Sequence, residues 1–508
     1  MLYDKTYVMN GKQLKNSILQ WAIQGKLVPQ DSNDEPASVL LDKIRQEKER
    51  LIKEKKIKRD KNASIIYRGE DNSYYEKILA TGEVKCIDEE VPFEIPQGWK
   101  WTRIGNIFNH TSGKQQNSSN KGGGTPQKFI TTSNLYWGYF ILDNVKVMNF
   151  TDEEIKTCSA TKGDLLVCEG GAGYGRSAIW NEDYDICLQN HVHRLRPCVS
   201  GICEYVYHFI YLLKESNNLA SVGTAMPGLS ANRLKGLLLP FPPLSEQKRI
   251  VAKLGELLPQ IDKYSKIQQQ LDELNNAIKE SLKKSILQEA IQGKLVPQIA
   301  EEGTAQELLD QIKAEKQKRV KDGKLKKSAL NDSVIFRGDD NKYYEQIGSE
   351  VTEMELPFDF PSTWSIARLN AVCQLTDGLK TTGKQCLLDA KYLRGKSSGT
   401  IVEQGKLVYK GDNIVLVDGE NSGEVFIVPQ DGYMGSTFKQ LWISSFMYEP
   451  YVSAFIKFYK EALRNSKKGA AIPHLNKELF YDLIIGIPPQ QEQKRIVQKI
   501  KQLMQLLK

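Results

Sequence analysis

Residues 246–298 read EQKRIVAKLGELLPQIDKYSKIQQQLDELNNAIKESLKKSILQEAIQGKLVPQ, and this stretch decides the fold. Apolar residues recur every three or four positions from Ile250 to Leu282, which predicts one long helix whose apolar seam packs on another helix. At a rise of about 1.5 Å per residue, roughly 45 residues would span about 70 Å. Pro259 is predicted to kink or restart the helix.

Both ends of this stretch occur a second time in the chain. LKNSILQWAIQGKLVPQ (14–30) matches LKKSILQEAIQGKLVPQ (282–298) at 15 of 17 positions, and EQKRIV (246–251) recurs at 492–497. The second copy is therefore split between the two termini. We expect the C-terminal helix to pair with the N-terminal helix, so that the two ends nearly reconstitute the central helix.

The bulk composition limits the classes of protein. A chain of 508 residues is long enough for two or more domains, and its formal net charge of +8 permits a polyanionic partner. The eight cysteines are scattered without a CxxC pair, which favours reduced thiols in a cytoplasmic protein. MLYDKTYVMN at the start lacks the apolar core of a signal peptide, and no apolar run is long enough to cross a bilayer.

Two further segments occur twice: a helix that ends in a basic tail, and a following segment that we call the arm. A helix is predicted over residues 37–58, and its tail at 53–61 carries six basic and two acidic residues; the matching tail at 318–327 carries six basic and one acidic. Such a run is either a solvated helix face or a contact for nucleic-acid phosphates. IIYRGEDNSYYEKI (65–78) and VIFRGDDNKYYEQI (334–347) then form the arms, and Thr304 with Glu307 predicts a capping box before the second helix.

Each arm leads to a proline-containing segment that we call the gateway, VPFEIPQGWKWTRIGNI (91–107) or LPFDFPSTWSIARLNAV (356–372), and then to a domain of different composition. Trp99 and Trp364 are expected to anchor the first strand of each domain, and short β-branched runs with glycine turns predict mixed α/β domains. GDLLVCEGGAGYGRSAIW (163–180) aligns with GDNIVLVDGENSGEVFIV (411–428), and both predict strand, glycine-rich turn and strand. Elsewhere the two domains diverge, which suggests one shared scaffold and two separate reading surfaces.

No pattern of an enzyme is convincing. GGAGYG (170–175) follows a predicted strand but lacks the spacing and the later acidic residue of a dinucleotide site, so a hairpin turn is favoured. The glycines at 122–124 precede Thr-Pro and not Lys-Ser, which excludes a P-loop there. The five histidines are dispersed, so a metal site is disfavoured, and no NPPY-type tetrapeptide for adenine methylation is present. These absences favour a non-catalytic protein.

Polar loops and strand ends fit the reading of DNA better. Lys, Arg, Asn, Gln, Ser and Thr side chains read base edges, and each good bidentate pair discriminates by about 1–3 kcal/mol. Instead of reading DNA, each loop could be an ordinary polar surface, and His191 and His193 could lie in the core. The candidate DNA-binding residues are Lys114, Gln115, Gln116, Asn117, Lys121, Thr125, Tyr174, Arg176, His191, His193, Lys380, Thr381, Thr382, Lys384, Asn421, Ser422 and Lys439.

The chain resembles the DNA-specificity subunit of type I restriction-modification systems over nearly its whole length. The residues that carry the resemblance are the junctions PPLSEQKRIV and PPQQEQKRIV, the GDLLVCEGGAGYG hairpin, the GTAMPGLS and GAAIPHLN segments and the repeated QGKLVPQ. The resemblance implies an α+β fold with two mixed α/β target-recognition domains separated by long antiparallel coiled-coil helices, in a pseudo-twofold circular repeat.

It implies this division of the chain: a helical region with basic helix and arm at 1–90, the first recognition domain at 91–244, a central helical spacer at 245–355, the second recognition domain at 356–489 and a C-terminal helix at 490–508. Each recognition domain would read one half of a bipartite site in double-stranded DNA. The modules at 31–90 and 299–355 depart from many family members, and we expect them to contact the modification subunits or flanking DNA.

The resemblance also implies partners. The helical regions would dock two modification (methyltransferase) subunits, with Gln24, Lys26, Gln292 and Lys294 as docking residues. Restriction subunits would join the full complex. S-adenosylmethionine, ATP and magnesium would belong to those partners, and this chain would hold no cofactor or metal and have no active site of its own. Two other hypotheses stay open: a coiled-coil adaptor with two protein-binding domains, and a fused methyltransferase-specificity protein.

Overall fold

The computed structural model describes residues 9–115, 123–219, 228–330, 333–466 and 474–507. The chain forms two compact units, Met1–Leu271 and Asp272–Lys508. Each unit contains amphipathic helices, a three-stranded arm and a mixed α/β domain, which we call the first mixed domain (91–244) and the second mixed domain (356–489). None of the described helices combines the length and the apolar character that a bilayer span requires.

The first unit begins with helix, arm and mixed domain in that order. Its helices are α1 (Gly11–Ile23), α2 (Ala37–Lys53), α3 (Ile104–Ile107), α4 (Asp152–Cys158), α5 (Cys203–Glu215), α6 (Ala231–Gly236) and the start of α7 (Leu244–Ile291), and its strands are β1 (Ser64–Arg68), β2 (Tyr74–Ile78), β3 (Val84–Cys86), β4 (Lys100–Arg103), β5 (Phe108–Ser112), β6 (Thr125–Ile130), β7 (Lys146–Phe150), β8 (Ser159–Ala160), β9 (Leu165–Cys168), β10 (Ser177–Ile179), β11 (Ile186–Leu188), β12 (Val192–Pro197) and β13 (Leu238–Phe241).

Local sequence explains where the first helices begin and end. Asn10 and Gln13 form a capping box at the start of α1, because the Asn10 side chain accepts from the Gln13 amide and the Gln13 side chain accepts in return. Helix α1 ends at Ile23, and Gly25 follows in the left-handed conformation, at a φ of +69°, that is common just after helices. Helix α2 ends at Lys53, five residues before the predicted end, because Lys55 takes a left-handed conformation.

The first unit contains four small sheets: the arm, and three sheets that belong to the first mixed domain. Strands β1, β2 and β3 form the antiparallel arm, β4 pairs with β13, and the orders β10-β9-β12-β5 and β7-β6-β11-β8 form the body of the domain. The buried side chains of β9 alternate between the core shared with α5 and the helices and a second core around Trp180. This two-sided burial explains why LLVC is continuously apolar.

Helix α7 confirms the predicted long helix, but the helix does not restart at Pro259 and the second part of its apolar seam is exposed. The helix continues through Pro259. Pro259 and Gly255 are exposed, so water can bind the carbonyl oxygen that loses its hydrogen bond. The first part of the predicted seam is buried, whereas its second part is 45–56% exposed; the exposed residues are Ile267, Leu271, Leu274, Ile278 and Leu282. Spacing predicts an apolar stripe but does not determine what covers it.

The second unit repeats this order of elements. Its further helices are α8 (Gln306–Lys321), α9 (Leu369–Val372), α10 (Ala390–Leu393), α11 (Glu449–Phe458), α12 (Lys460–Asn465), α13 (Lys477–Asp482) and α14 (Gln490–Leu506), and its strands are β14 (Val334–Arg337), β15 (Tyr343–Ile347), β16 (Glu350–Met354), β17 (Ser365–Arg368), β18 (Cys373–Thr376), β19 (Leu379–Leu388), β20 (Thr400–Val408), β21 (Asn413–Leu416), β22 (Val425–Ile427), β23 (Gly432–Met434), β24 (Phe438–Ile443) and β25 (Ile484–Ile487).

Both predicted hairpins are present. Strand β9 pairs antiparallel with β10, and β21 pairs antiparallel with β22. The two-stranded ribbon of the second mixed domain, β19 with β20, is longer than the corresponding pair β6 and β7 of the first, and it closes on β23. The capping box predicted at Thr304 is wrong: α8 begins at Gln306 with no side-chain cap, and the buried Ala305 instead donates its N–H to the Thr363 carbonyl.

Candidate nucleic-acid interface

The repeated phrases of the sequence meet in each unit around a buried carboxylate. In the first unit, Glu246 accepts hydrogen bonds from the Gln30 amide nitrogen at 2.6 Å and from the Trp99 indole N–H at 2.8 Å. Gln30 closes QGKLVPQ, Trp99 belongs to the gateway and Glu246 begins EQKRIV. The three signatures are therefore parts of one contact, which we call the first carboxylate junction. Burial raises the pKa of Glu246.

The second unit builds the same contact from the other copies. Glu492 accepts from the Gln298 amide nitrogen at 2.8 Å and from the Trp364 indole N–H at 3.0 Å, and burial raises the pKa of Glu492. We call this the second carboxylate junction. Salt bridges flank both junctions, since Arg249 pairs with Asp34 in the first unit and Arg495 with Glu302 in the second. Each junction fixes the gateway of its mixed domain to a helix.

The four predicted docking residues lie beside these junctions. Lys26 and Lys294 are exposed, Gln24 is half-buried and Gln292 is buried. The two lysines can therefore reach a partner directly, whereas Gln292 packs within its own unit. Their role in docking stays a prediction.

The glycine-rich turn after β9 is a hairpin and not a cofactor cradle. A dinucleotide-binding turn opens a helix, but here the chain returns as the antiparallel strand β10. Around the turn, the Lys214 ammonium lies 3.0 Å from the ring centre of Tyr174, and the Arg176 guanidinium lies 4.7 Å from that of Tyr136. The attraction between each cation and its ring holds both side chains in position beside the turn.

Three of the predicted DNA-binding residues are buried: Tyr174 is 8% exposed, and His193 and Ser422 have almost no exposed surface and cannot reach DNA in this conformation. His193 is 1% exposed, and its ring bonds the Leu229 carbonyl oxygen at 2.8 Å and the His110 ring at 3.1 Å. Burial lowers the pKa of His110 to about 4, so this pair is neutral at pH 7. Ser422 is 0% exposed. His193 therefore lies in the core, as the alternative prediction had it. His191 is exposed and pairs with Glu169.

The loop predicted to read DNA in the first mixed domain is only partly described. Gln116, Asn117 and Lys121 lie outside the described residues. Gln115 and Thr125 are exposed. The Lys114 ammonium donates to Glu154 at 2.7 Å and to the Asn149 carbonyl at 3.0 Å, so it supports the base of the loop.

In the second mixed domain, the predicted cluster falls on the ribbon of β19 and β20. Thr381 lies opposite Gly405 and faces the buried Tyr433, whose hydroxyl bonds the Thr381 hydroxyl at 3.4 Å. The neighbouring positions point to the other face, where Lys380 and Thr382 are exposed together with Gln404, the cross-strand partner of Thr382.

Gln404 is a candidate that the sequence analysis missed. The alternation of β20 is a signal for its outward position, but only the register with β19 places it beside Thr382. Lys384, beyond the irregularity that follows Thr382, is also exposed. We call Lys380, Thr382, Lys384 and Gln404 the outward ribbon face.

The other two candidates of this domain are less accessible. The Lys439 ammonium is bonded to the Asp377 carboxylate, which lowers the pKa of Asp377 to about 2. Asn421 is half-buried in the turn between β21 and β22. Within the described residues, no group of three or more His, Cys, Asp or Glu side chains could hold a metal ion.

Comparison with known proteins identifies the family. The model of the type I restriction modification DNA specificity domain matches residues 96–285 and 361–508. The chain is 30% identical over 265 residues to the Type I restriction enzyme EcoAI specificity subunit of Escherichia coli, covering 49% of this chain and 40% of that protein. It is 27% identical over 426 residues to the EcoEI specificity subunit of Escherichia coli, covering 71% of this chain and 61% of that protein.

The matched regions thus span less than two thirds of either relative. A solved chain from work on complex assembly and conformational transition of the type I R-M system shares the fold, with a TM-score of 0.50, 16% identity and coverage of 82% of this chain and 92% of that one. Because the family model covers more than half of its length, the chain belongs to the type I restriction-modification DNA specificity family.

Proposed function

We propose that the chain is the non-catalytic subunit that reads DNA sequence in a type I restriction-modification complex, and that each mixed domain reads one half of a bipartite site. The observation that carries this proposal is the contrast between scaffold and surface. The carboxylate junctions are built from the same residue types in both units, whereas the ribbons of the two mixed domains, β6 with β7 and β19 with β20, differ in length and in the side chains that they carry. A repeated scaffold with unlike surfaces suits the reading of two different sequences.

The outward ribbon face is the reader that we propose for the second half-site. The major groove is about 12 Å wide and admits a two-stranded β-ribbon. Lys380 and Gln404 carry the side chains that pair with guanine and adenine edges, and the Thr382 methyl group suits a thymine methyl. Each correct pair would contribute about 1–3 kcal/mol of discrimination.

The helices would set the spacing between the readers. Helix α7 contains 48 residues in one continuous run. In the proposed circular repeat, α14 and α1 supply from the two termini what α7 supplies in one piece, and the helices pair as an antiparallel coiled coil. This proposal is supported by the junctions, since Glu492 at the start of α14 makes the contacts of Glu246 at the start of α7.

We propose that the same repeat provides two equivalent docking surfaces, which bind two methyltransferase subunits through Lys26 and Lys294, with Gln24 and the buried Gln292 close to them in the sequence. S-adenosylmethionine, ATP and magnesium would act in the methyltransferase and restriction subunits and not in this chain. Lys26 and Lys294 are exposed at the same position of QGKLVPQ in the two copies, which supports two matched sites.

The test is selection from a pool of random duplexes by the purified chain, followed by sequencing of the bound DNA. The expected result is a motif of two short fixed segments separated by a fixed unread gap. Alanine at Lys380, Thr382 and Gln404 together should erase one segment and preserve the other. Selection of no motif by the wild-type chain would reject the proposal.

A further inference from the structure

The turn after helix α2 holds a lysine in a backbone conformation that side chains disfavour. Lys55 has a φ of +57°, two residues beyond the end of α2, and the corresponding residue after α8 is Gly323 at +70°. Every other described non-glycine residue with positive φ is an asparagine, which tolerates this region. A lysine kept where the second copy has glycine points to a use for its side chain.

The charges around this turn are largely uncompensated. Lys53, Lys55, Lys58 and Lys61, which together we call the basic turn, are exposed and form no ion pair with any other residue of the described part of the chain. Two neighbouring cations, in contrast, form ion pairs: Arg59 with Glu49, and Lys56 with Glu54. The end of α8 and the turn after it also carry exposed lysines without ion pairs among the described residues: Lys318, Lys321, Lys324, Lys326 and Lys327. Of these, Lys321 and Lys326 occupy the positions of Lys53 and Lys58.

The basic turn adjoins the first mixed domain across a cleft. Lys58 and Lys61 line a cleft of about 520 Å³ that is also lined by Asn109 and His110 of strand β5. In the second unit, Lys324 and Lys326 line a cleft of about 1440 Å³ together with Gln374 of β18. In both units the free lysines therefore lie beside a strand of the mixed domain.

The module that carries the basic turn is firmly attached to the mixed domain. The Lys48 ammonium of α2 donates to the Gly105 carbonyl at 2.6 Å, and Lys235 pairs with Asp60 at 2.8 Å. Arg103 of β4 binds the Glu76 carboxylate of the arm. The second unit repeats the first of these bonds, from Lys316 to the Asn370 carbonyl at 2.7 Å. The lysines of the basic turn are thus fixed relative to the reader that they accompany.

We propose that the basic turn binds the phosphates of duplex DNA beside the half-site read by the first mixed domain, and that the turn after α8 does the same for the second. The inference rests on the proposed reading function. Four unpaired ammonium groups on a fixed support suit the regularly spaced charges of a DNA backbone, which carry position and no sequence information. The domain would thereby contact DNA beyond the bases that it reads.

The test compares two variants of the full chain that lose the same charge. The turn variant combines Lys53→Gln, Lys55→Gly, Lys58→Gln and Lys61→Gln. The control variant replaces four exposed lysines of α7 with glutamine: Lys248, Lys263, Lys266 and Lys279. Binding to a fluorescein-labelled 60-bp duplex of mixed sequence is measured by anisotropy from 50 to 250 mM KCl, and thermal unfolding is measured beside it.

The turn variant is expected to bind about tenfold or more weakly at 100 mM KCl, and its slope of log affinity against log salt should shrink by about 0.9 for each phosphate that is no longer neutralised. Lys55→Gly alone should unfold at a temperature no lower than the wild type and still bind more weakly, which separates the charge from the fold. A turn variant that matches the control in affinity and slope would overturn the inference and leave the reading function intact. If the turn variant kept the salt slope of the wild type but no longer retained a methyltransferase subunit, the basic turn would belong to a protein interface. That result would also overturn the inference.

Discussion

Replacement of Trp99 by phenylalanine tests whether the first carboxylate junction holds the mixed domain to its helix. The change keeps an aromatic ring but removes the N–H that donates to Glu246 at 2.8 Å. A hydrogen bond to a charged group contributes about 1.5–3 kcal/mol. A void of a few tens of Å³ adds up to about 1 kcal/mol at ~24 cal/mol per Å³. We therefore expect the free energy of unfolding to fall by roughly 2–4 kcal/mol.

Differential scanning calorimetry of the full chain measures this loss. For a unit of this size, about 2–4 °C per kcal/mol predicts that the transition of the first unit moves down by roughly 5–15 °C. Trp364→Phe should move the transition of the second unit in the same way, because Trp364 makes the matching bond to Glu492. Trp21→Phe is the control, since Trp21 is half-exposed and should change stability by less than about 0.5 kcal/mol. Equal shifts for Trp99→Phe and Trp21→Phe would refute the reasoning.

Three further predictions follow from the same structure. Burial raises the pKa of Glu246, so the folded chain retains that proton to a higher pH than the unfolded chain does, and stability falls as pH rises from the ordinary value of a glutamate through the raised one. Glu246→Gln should lessen this fall in unfolding titrations that start below the ordinary pKa of a glutamate and continue to neutral pH. An unchanged profile would contradict this prediction. Arg103→Gln leaves the Glu76 carboxylate without its cation and should destabilise the arm by about 2–4 kcal/mol. Amide hydrogens of β1 to β3 should then exchange faster with solvent. Unaltered exchange would show that Arg103 does not anchor the arm to the first mixed domain. A seven-residue helical insertion after Lys279 lengthens α7 by about 10 Å and should widen the gap of the selected DNA motif by about three base pairs, whereas an unchanged gap would exclude α7 as the spacer.

The sequence predicted the elements well where repetition and periodicity carried the signal. The long helix, both glycine-rich hairpins and the buried gateway tryptophans lie where the sequence placed them. Repetition shows that two positions are equivalent, but it does not show which residues touch. The convergence of Gln30, Trp99 and Glu246 therefore became visible only in the structure.

The predictions that the structure contradicts, and the candidate that the sequence did not reveal, have physical explanations. Strand alternation places His193 on one face, but only the fold shows that this face lies against Leu229 and His110. Thr304 and Glu307 satisfy the pattern of a capping box, yet the Ala305 N–H bonds the Thr363 carbonyl and the helix starts one residue later than predicted, at Gln306. Gln404 lies beside Thr382 because of the register between β19 and β20, and this register cannot be predicted from composition.

The central claim is that two unlike readers sit on one repeated scaffold, and methylome sequencing tests it most directly. The chain is expressed with its methyltransferase partner in a host, and residues 91–240 are then exchanged for the equivalent segment of a relative. The account predicts a bipartite adenine-methylation motif in which the exchange alters one half and leaves the other half and the gap unchanged. A motif that changes in both halves, or methylation without a bipartite motif, would contradict it.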